Sequence, residues 1–180
     1  MTETPEQVPA RRRADARRNE KALLDAAAAV FVTSGVEAPV RDIAARAGVG
    51  MGTVYRHQVE ACAEAGETGL AEATTPYAAL VCWIDLFVDL LVTKHGLAAA
   101  LRSDGARFDT LHSYFLDRLV PVCARLLDAA AGSGEIRSDL EAYALMRGVG
   151  NLCIGADSDP RYDARRLVEL LVSGLRRPGP

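Results

Sequence analysis

Thr53, Tyr55, Arg56 and His57 stand within five positions, directly after glycines at 48, 50 and 52. A hydroxyl, a phenol, a guanidinium and an imidazole are donors suited to phosphate oxygens and to base edges in a DNA groove. Gly50 and Gly52 allow close approach to the start of a helix, whose free N–H groups favour phosphate. Arg56 is the candidate base reader, although an arginine at such a place also serves phosphate alone. Tyr55 either faces the groove or packs beneath its helix. Arg41 is placed to add a phosphate contact. Arg11, Arg12 and Arg13 form either an arm for the minor groove or a solvated charge run.

Two short helices and a glycine corner position these groups. Ile43, Ala44 and Ala47 share one face of a first helix by their spacing of three and four. Gly48 takes the left-handed conformation that stops it, and Val49 plugs the corner. A second helix runs roughly from Met51 to His57. Helix, turn and helix in this layout place the second helix in the major groove. An earlier helix is expected from near Asp15 to Thr33 or Ser34, with Leu23, Leu24, Ala27, Val30 and Phe31 as its apolar face. Pro39 suits the first turn of the helix after it.

Ala26 to Phe31, Gly35, Asp42-Ile43-Ala44, Ala47-Gly48-Val49 and Gly52-Thr53-Val54-Tyr55-Arg56-His57 together resemble the TetR family of bacterial transcriptional regulators. The run from Leu101 to Phe108, with Gly134 to Asp139, resembles the C-terminal domain of the SbtR-like subgroup. The resemblance implies an all-α fold: a three-helix N-terminal helix-turn-helix domain and a C-terminal helical domain for ligand binding and dimerisation. Its divisions are a basic arm at 1–14, expected to be disordered, a DNA-binding domain at 15–58 and the helical domain at 59–180. It implies double-stranded DNA, a small-molecule effector and a second copy of the chain as partners, with repression of a pseudo-palindromic operator. No cofactor is implied.

After His57 the pattern departs from the family. Relatives continue with an aromatic residue, a polar turn and a fourth helix, whereas this chain passes straight to Gln58-Val59-Glu60-Ala61-Cys62. About a turn and half a helix are missing against that pattern. The expected consequence is weakened or lost ligand control. The alternative function is a dimerising or ligand-binding helical protein with impaired DNA binding.

The remainder reads as helices. Val59 to Ala73 is a weak one, interrupted by Gly66 and Gly69. Thr75-Pro76 caps and opens the most apolar helix, which ends at Gly96, with a short helix at 97–101. A long helix from Ala106 to Ala131 is bent or interrupted near Pro121. Gly132-Ser133-Gly134 breaks it, and Ser138 to Glu141 is a capping box for the next helix. Asp159-Pro160 opens the last. Eight or nine helices and no strand are expected.

Trp83, Phe87, Phe108, His112, Phe115 and Met146 line the effector pocket implied by the resemblance, or else form a core. Leu145, Val149, Leu152, Leu167, Leu171 and Leu175 supply the implied dimer surface, or else fill the subunit. Asp85 and Asp89, one turn apart, greet a cationic ligand or lie on an exposed strip.

Composition sets the bounds. The chain has 180 residues, 49% of them hydrophobic, and a net charge of −3. Basic residues cluster at 11–25 and acidic ones dominate beyond 61, so DNA is met through one end. No apolar run approaches the roughly 20 residues of a membrane span, and the charged start excludes a signal peptide, so the cytoplasm is the expected location. Cys62, Cys82, Cys123 and Cys153 form no C-x-x-C pair, and His57, His95 and His112 are far apart, so no metal site is expected. Gly48-Val-Gly-Met-Gly is not a nucleotide loop, because a helix and not a strand precedes it and no Gly-Lys-Ser/Thr follows. No nucleophile, base and acid set stands out, and no enzyme is expected.

Overall fold

The computed structural model describes residues 40–100, 105–154 and 161–177, with Ala22 and Ala26, both helical. Side-chain surroundings are defined from Ala44 to Leu91 and from Asp109 onward within those ranges. The expected bounds of the first helix, Pro39, the arm of Arg11, Arg12 and Arg13, and Asp159-Pro160 lie outside the described residues. Six named helices appear: α1 (Val40–Ala47), α2 (Met51–Glu72), α3 (Pro76–Ala100), α4 (Gly105–Gly132), α5 (Ala142–Cys153) and α6 (Ala164–Ser173). These are the helices named among the described residues, and within them helices expected to be separate are joined. Among the described residues there is no strand. An isolated antiparallel bridge between Ile136 and Arg176 ties the α4–α5 connection to the segment after α6. The chain divides into two compact units, 1–57 and 58–180.

The largest correction is α2, which does not stop at His57 but continues to Glu72. From Thr53 to Ala65 there is neither glycine nor proline, and Gln58, Glu60, Ala61 and Ala63 to Ala65 are good helix formers. Without a turn sequence, nothing ends the helix. One buried stripe also runs along it, through Tyr55, Val59, Cys62, Ala63 and Gly66, at helical spacing.

Gly66 and Gly69 do not interrupt it either. Gly66 is where α2 meets its neighbours closely: a Cβ there would lie 2.3 Å from Val122 Cγ1 and 2.9 Å from Trp83 Cδ1. The Trp83 indole N–H donates to the Cys62 carbonyl at 3.0 Å, one turn before that glycine. The glycine is therefore a contact surface for the indole. Gly96 likewise fails to end α3, which runs to Ala100. One glycine costs a helix about 1 kcal/mol, too little to stop it before Leu97 and three alanines.

α3 is central in the 58–180 unit, packing on α4 and α5, while α4 also packs on α5 and α5 on α6. Leu80, Trp83, Ile84, Phe87, Val88, Leu90 and Leu91 are buried, and Cys82, Asp85, Leu86 and Asp89 form an exposed strip. Thr75 Oγ1 accepts from Ala78 N at 3.1 Å, the expected cap, and Glu135 adds a second acceptor for Tyr77 N at 3.0 Å. α4 passes Pro121 uninterrupted and ends in a Schellman motif. Gly134 takes φ +80, Gly134 N donates to Ala131 O and Glu135 N to Ala130 O.

One cap assignment changes. Glu141 is itself the N-cap of α5 and makes no side-chain cap bond, so the expected box starting at Ser138 does not form. α6 has Asp163 as its N-cap, whose carboxylate accepts from Arg166 N at 2.9 Å.

α2 and α4 share a polar seam. Glu60 accepts from Arg118 Nε at 2.9 and 3.1 Å and from the Tyr114 hydroxyl, and two turns on Glu67 accepts from Arg125 at 2.7 Å. Both ion pairs join residues 58 apart, so the helices run parallel along this edge. The Arg118 hydrogen bond holds the Glu60 carboxyl below the usual carboxylate range, against the opposing effect of burial.

Candidate nucleic-acid interface

The corner between α1 and α2 is a second Schellman motif. Gly48 sits at φ +68, Gly48 N donates to Ala45 O at 3.2 Å and Val49 N to Ala44 O at 3.1 Å. The hydrophobic contact that accompanies such a stop is present too. Ala44 and Val54 are buried together, with Ala47, Val49 and Met51 packed on them. Val54, on α2, thus locks against Ala44, on α1, and sets the exit direction of α2.

Gly50 is the last residue before α2, and its carbonyl accepts from Thr53 N at 2.9 Å and Val54 N at 3.4 Å. Ahead of Thr53, the N–H groups of Met51 and Gly52 have no carbonyl four residues back within the helix, the usual state of a helix start. A Cβ on Gly50 would meet nothing within 4 Å, so the approach to those N–H groups is open. On the helix that follows, Val54 and Tyr55 are buried. Gly52, Thr53 and His57 are half-buried and Arg56 is exposed, all on the face away from that packing. Arg46, in the last turn of α1, is also exposed.

This sorts the expected DNA contacts. Gly50, Gly52, Thr53, Arg56 and His57 come together around the first two turns of α2. Arg41 is on α1, with its side chain outside the described residues, as are Arg11, Arg12 and Arg13 altogether. Tyr55 is corrected: it is 2% exposed, and burial pushes its phenol pKa up, so its ring packs beneath the helix instead of facing a groove. Arg46, exposed beside this group in the last turn of α1, was not singled out in the sequence, because its alanine neighbours gave no chemical signal.

Two family descriptions match this chain. Residues 23–57 match bacterial regulatory proteins of the tetR family, and residues 75–177 match the C-terminal domain of SbtR-like transcriptional regulators. The chain belongs to the TetR family. Among solved structures, the TetR transcriptional regulator SCO0520 of Streptomyces coelicolor shares 30% identity at a TM-score of 0.60, over 88% of this chain and 99% of the other. A TetR transcription regulatory protein of Mycobacterium vanbaalenii shares 28% at a TM-score of 0.57, over 92% and 99%. No curated protein gives a match. The TetR fold with its helix-turn-helix makes this a DNA-binding transcription regulator, and the family and its neighbours are regulators and not enzymes.

Of the residues expected either to line an effector pocket or to form a core, Trp83, Phe87 and Phe115 pack together as an aromatic core, with half-buried His112 beside them. Trp83 stacks on Phe87 at 5.4 Å between centroids, Phe87 meets Phe115 at 5.7 Å, and His112 lies 6.1 Å from Phe115. Trp83, Phe87, Phe115 and Met146 are each no more than 3% exposed, and the Phe108 side chain lies outside the described residues. A ring whose surface is already covered offers a ligand no area. Cavities among the described residues lie elsewhere. One of about 430 Å³ between α3 and α6 is bordered by Tyr77, Asp85, Glu169 and Leu170. A second lies between α2 and α3.

The expected dimer residues also divide. Leu145, Val149 and Leu175 are 2, 0 and 6% exposed and fill the subunit's own core, so they leave the list of interface residues. Leu152 is half-buried, while Leu167 and Leu171, joined by Leu170 at 51%, are exposed along α6. Tyr143 and Ile154, on and just after α5, are exposed as well. Asp89 is held by Arg165 on the exposed strip. Three cysteines are buried, and burial pushes the Cys62 and Cys123 thiols up to about 12, which keeps them protonated and unreactive. Among the described residues no group of His, Cys, Asp and Glu could hold a metal, and no helix is long and apolar enough to cross a membrane.

Proposed function

We propose that this TetR regulator binds a pseudo-palindromic operator as a homodimer and acts as a ligand-responsive repressor. The observation that carries the DNA reading is the corner itself. A Schellman stop and the Ala44–Val54 packing aim an open helix start, with Gly50, Gly52, Thr53, Arg56 and His57 around it. Phosphate takes the first-turn N–H groups and the Thr53 hydroxyl, and Arg56 reads a base edge or a second phosphate. Exposed Leu167, Leu170 and Leu171 support the homodimer, because an apolar stripe on one helix of a two-helix layer is removed from water by its symmetry mate. Effector release works by a shift between a DNA-competent state and one that ligand favours.

The test is fluorescence anisotropy of the purified protein with DNA from upstream of its own gene, across a salt series. Saturable, sequence-selective binding is expected, with a loss of about 10³- to 10⁵-fold between 50 and 200 mM salt for roughly 6–10 phosphate contacts. Absent binding, or equal binding to every duplex, favours the dimerising or ligand-binding protein without a working head. The passage of α2 beyond His57 without a turn is the feature that would support that second reading.

A further inference from the structure

We infer that α6 is fastened by a clasp at its end, and that the clasp governs how readily α6 opens from the subunit. Residues 175–177 tie it to the α4–α5 turn and to the start of α3, with Glu135 as the keystone. The helix needs such a fastening. It is ten residues long, and Ala164, Val168 and Val172 are its buried residues. A helix of that length does not stand alone in water. On its α3 side a groove of about 430 Å³ stands where close packing would otherwise hold it. Near its start the Tyr162 hydroxyl donates to the Leu152 carbonyl at 2.7 Å, and Arg165 pairs with Asp89. Its far end belongs to the clasp.

Two backbone bonds form the clasp around the Ile136–Arg176 bridge. Arg137 N donates to the Leu175 carbonyl at 2.9 Å and Arg177 N to the Glu135 carbonyl at 3.1 Å. Ile136 and Leu175 are buried beside them and pin the strap at both edges. The Arg176 guanidinium lies 5.1 Å from the centre of the Tyr77 ring, in the first turn of α3. Glu135 joins all three elements. Its backbone holds the strap, while its carboxylate accepts from Tyr77 N at 3.0 Å and from the Ser133 hydroxyl at 2.9 Å. Thr75 hydrogen-bonds the same carboxylate, and Arg176 brings its positive charge near it. A carboxylate at the start of α3 is also favoured by that helix's dipole.

The consequence for assembly rests on the homodimer reading. α6 carries the exposed Leu167, Leu170 and Leu171, and a surface made by one short helix exists while that helix is in place. Glu135, Arg176 and Arg177 are then positioning residues for that surface. Opening of α6 itself does not depend on that reading.

The experiment is hydrogen exchange of the full chain, without DNA, read by mass spectrometry across α6 and across α4. Arg177→Pro removes the N–H that donates to Glu135, and Arg177→Ala keeps it. Exchange across α6 should quicken about 3- to 10-fold in Arg177→Pro, for one lost hydrogen bond, with α4 unmoved and Arg177→Ala like the original. Arg176→Ala should quicken it about 2- to 5-fold, and Arg176→Lys, which keeps a cation over Tyr77, should restore it. Should Arg177→Pro not fold, the two Arg176 variants decide alone. Unchanged exchange of α6 in Arg177→Pro or in Arg176→Ala would overturn the inference. So would α4 quickening as much as α6, Arg177→Ala acting like Arg177→Pro, or a lysine at 176 no better than alanine. The measurement needs neither DNA nor pairing, so failure of operator binding or of the homodimer leaves its result standing.

Discussion

Replacing Gly66 with alanine should destabilise the protein, while the same change three residues later at Gly69 should stabilise it. Both glycines lie within α2, so both substitutions gain about 1 kcal/mol of helix propensity. At Gly69 a Cβ meets nothing within 4 Å, and the gain stands, at about 0.5–1 kcal/mol. At Gly66 the Cβ would lie 2.3 Å from Val122 Cγ1 and 3.0 Å from Trp83 Nε1. Val122 and Trp83 are 3 and 1% exposed, so neither can swing into solvent. Overpacking of that kind costs about 1–3 kcal/mol. Displacing the indole from the Cys62 carbonyl adds about 1–2 kcal/mol. Less the propensity gain, Gly66→Ala loses about 1–4 kcal/mol. Urea denaturation followed by the fluorescence of the sole tryptophan measures both variants. A Gly66→Ala protein as stable as the original, or two variants that shift together, would refute the claim that this glycine is there for contact.

Arg56→Ala should weaken operator binding by about 1–3 kcal/mol if Arg56 reads a base; if it serves phosphate, anisotropy across salt should show the slope reduced by about one. Gly48→Ala forces a side chain into φ +68 and should cost the head about 1–2 kcal/mol, seen as faster hydrogen exchange across 44–57 with little change beyond Val81. Glu60→Gln should lose about 0.5–1 kcal/mol near neutral pH, modest because the pair is partly exposed. The Glu60 carboxyl is depressed in the folded state, so its contribution is present above the unfolded value of about 4.3 and is lost as pH falls through the lower folded value. Denaturation curves of the two proteins should therefore converge toward pH 3, and a gap that persists there would exclude the ion pair as its cause. Leu170→Glu should convert a dimer to a monomer in light scattering without loss of helix content, and a starting protein that is already monomeric would remove the dimer reading.

The sequence made the local signals plain. Gly48 with Val49, Thr75 before Pro76, and Gly134 after a long apolar helix are decided within a few residues by φ and by caps, and the structure has each where its chemistry calls for it. The apolar spacing of α3 was equally open to reading. What could not be read there depends on distant partners. Gly66 looks like a weak point along one helix, and only the arrival of Trp83 and Val122 makes it a contact. Trp83, Phe87 and Phe115 have the side chains of a pocket or a core, and their mutual stacking decides for core. Leu145 and Leu171 share one residue type, yet α5 turns the first inward and α6 leaves the second at 36% exposure. The unbroken α2 was legible in principle, since a missing turn leaves no reason for a helix to stop.

The two charged pairs between α2 and α4 form a vernier. Glutamates at 60 and 67 meet arginines at 118 and 125, two turns apart on each helix. If α4 slid by one turn, Glu64 could take Arg118, but the position facing Arg125 would be Ala71, which has no carboxylate, and one tooth would be lost. Register is thus read by the side chains and not by the lengths of the connections around α3.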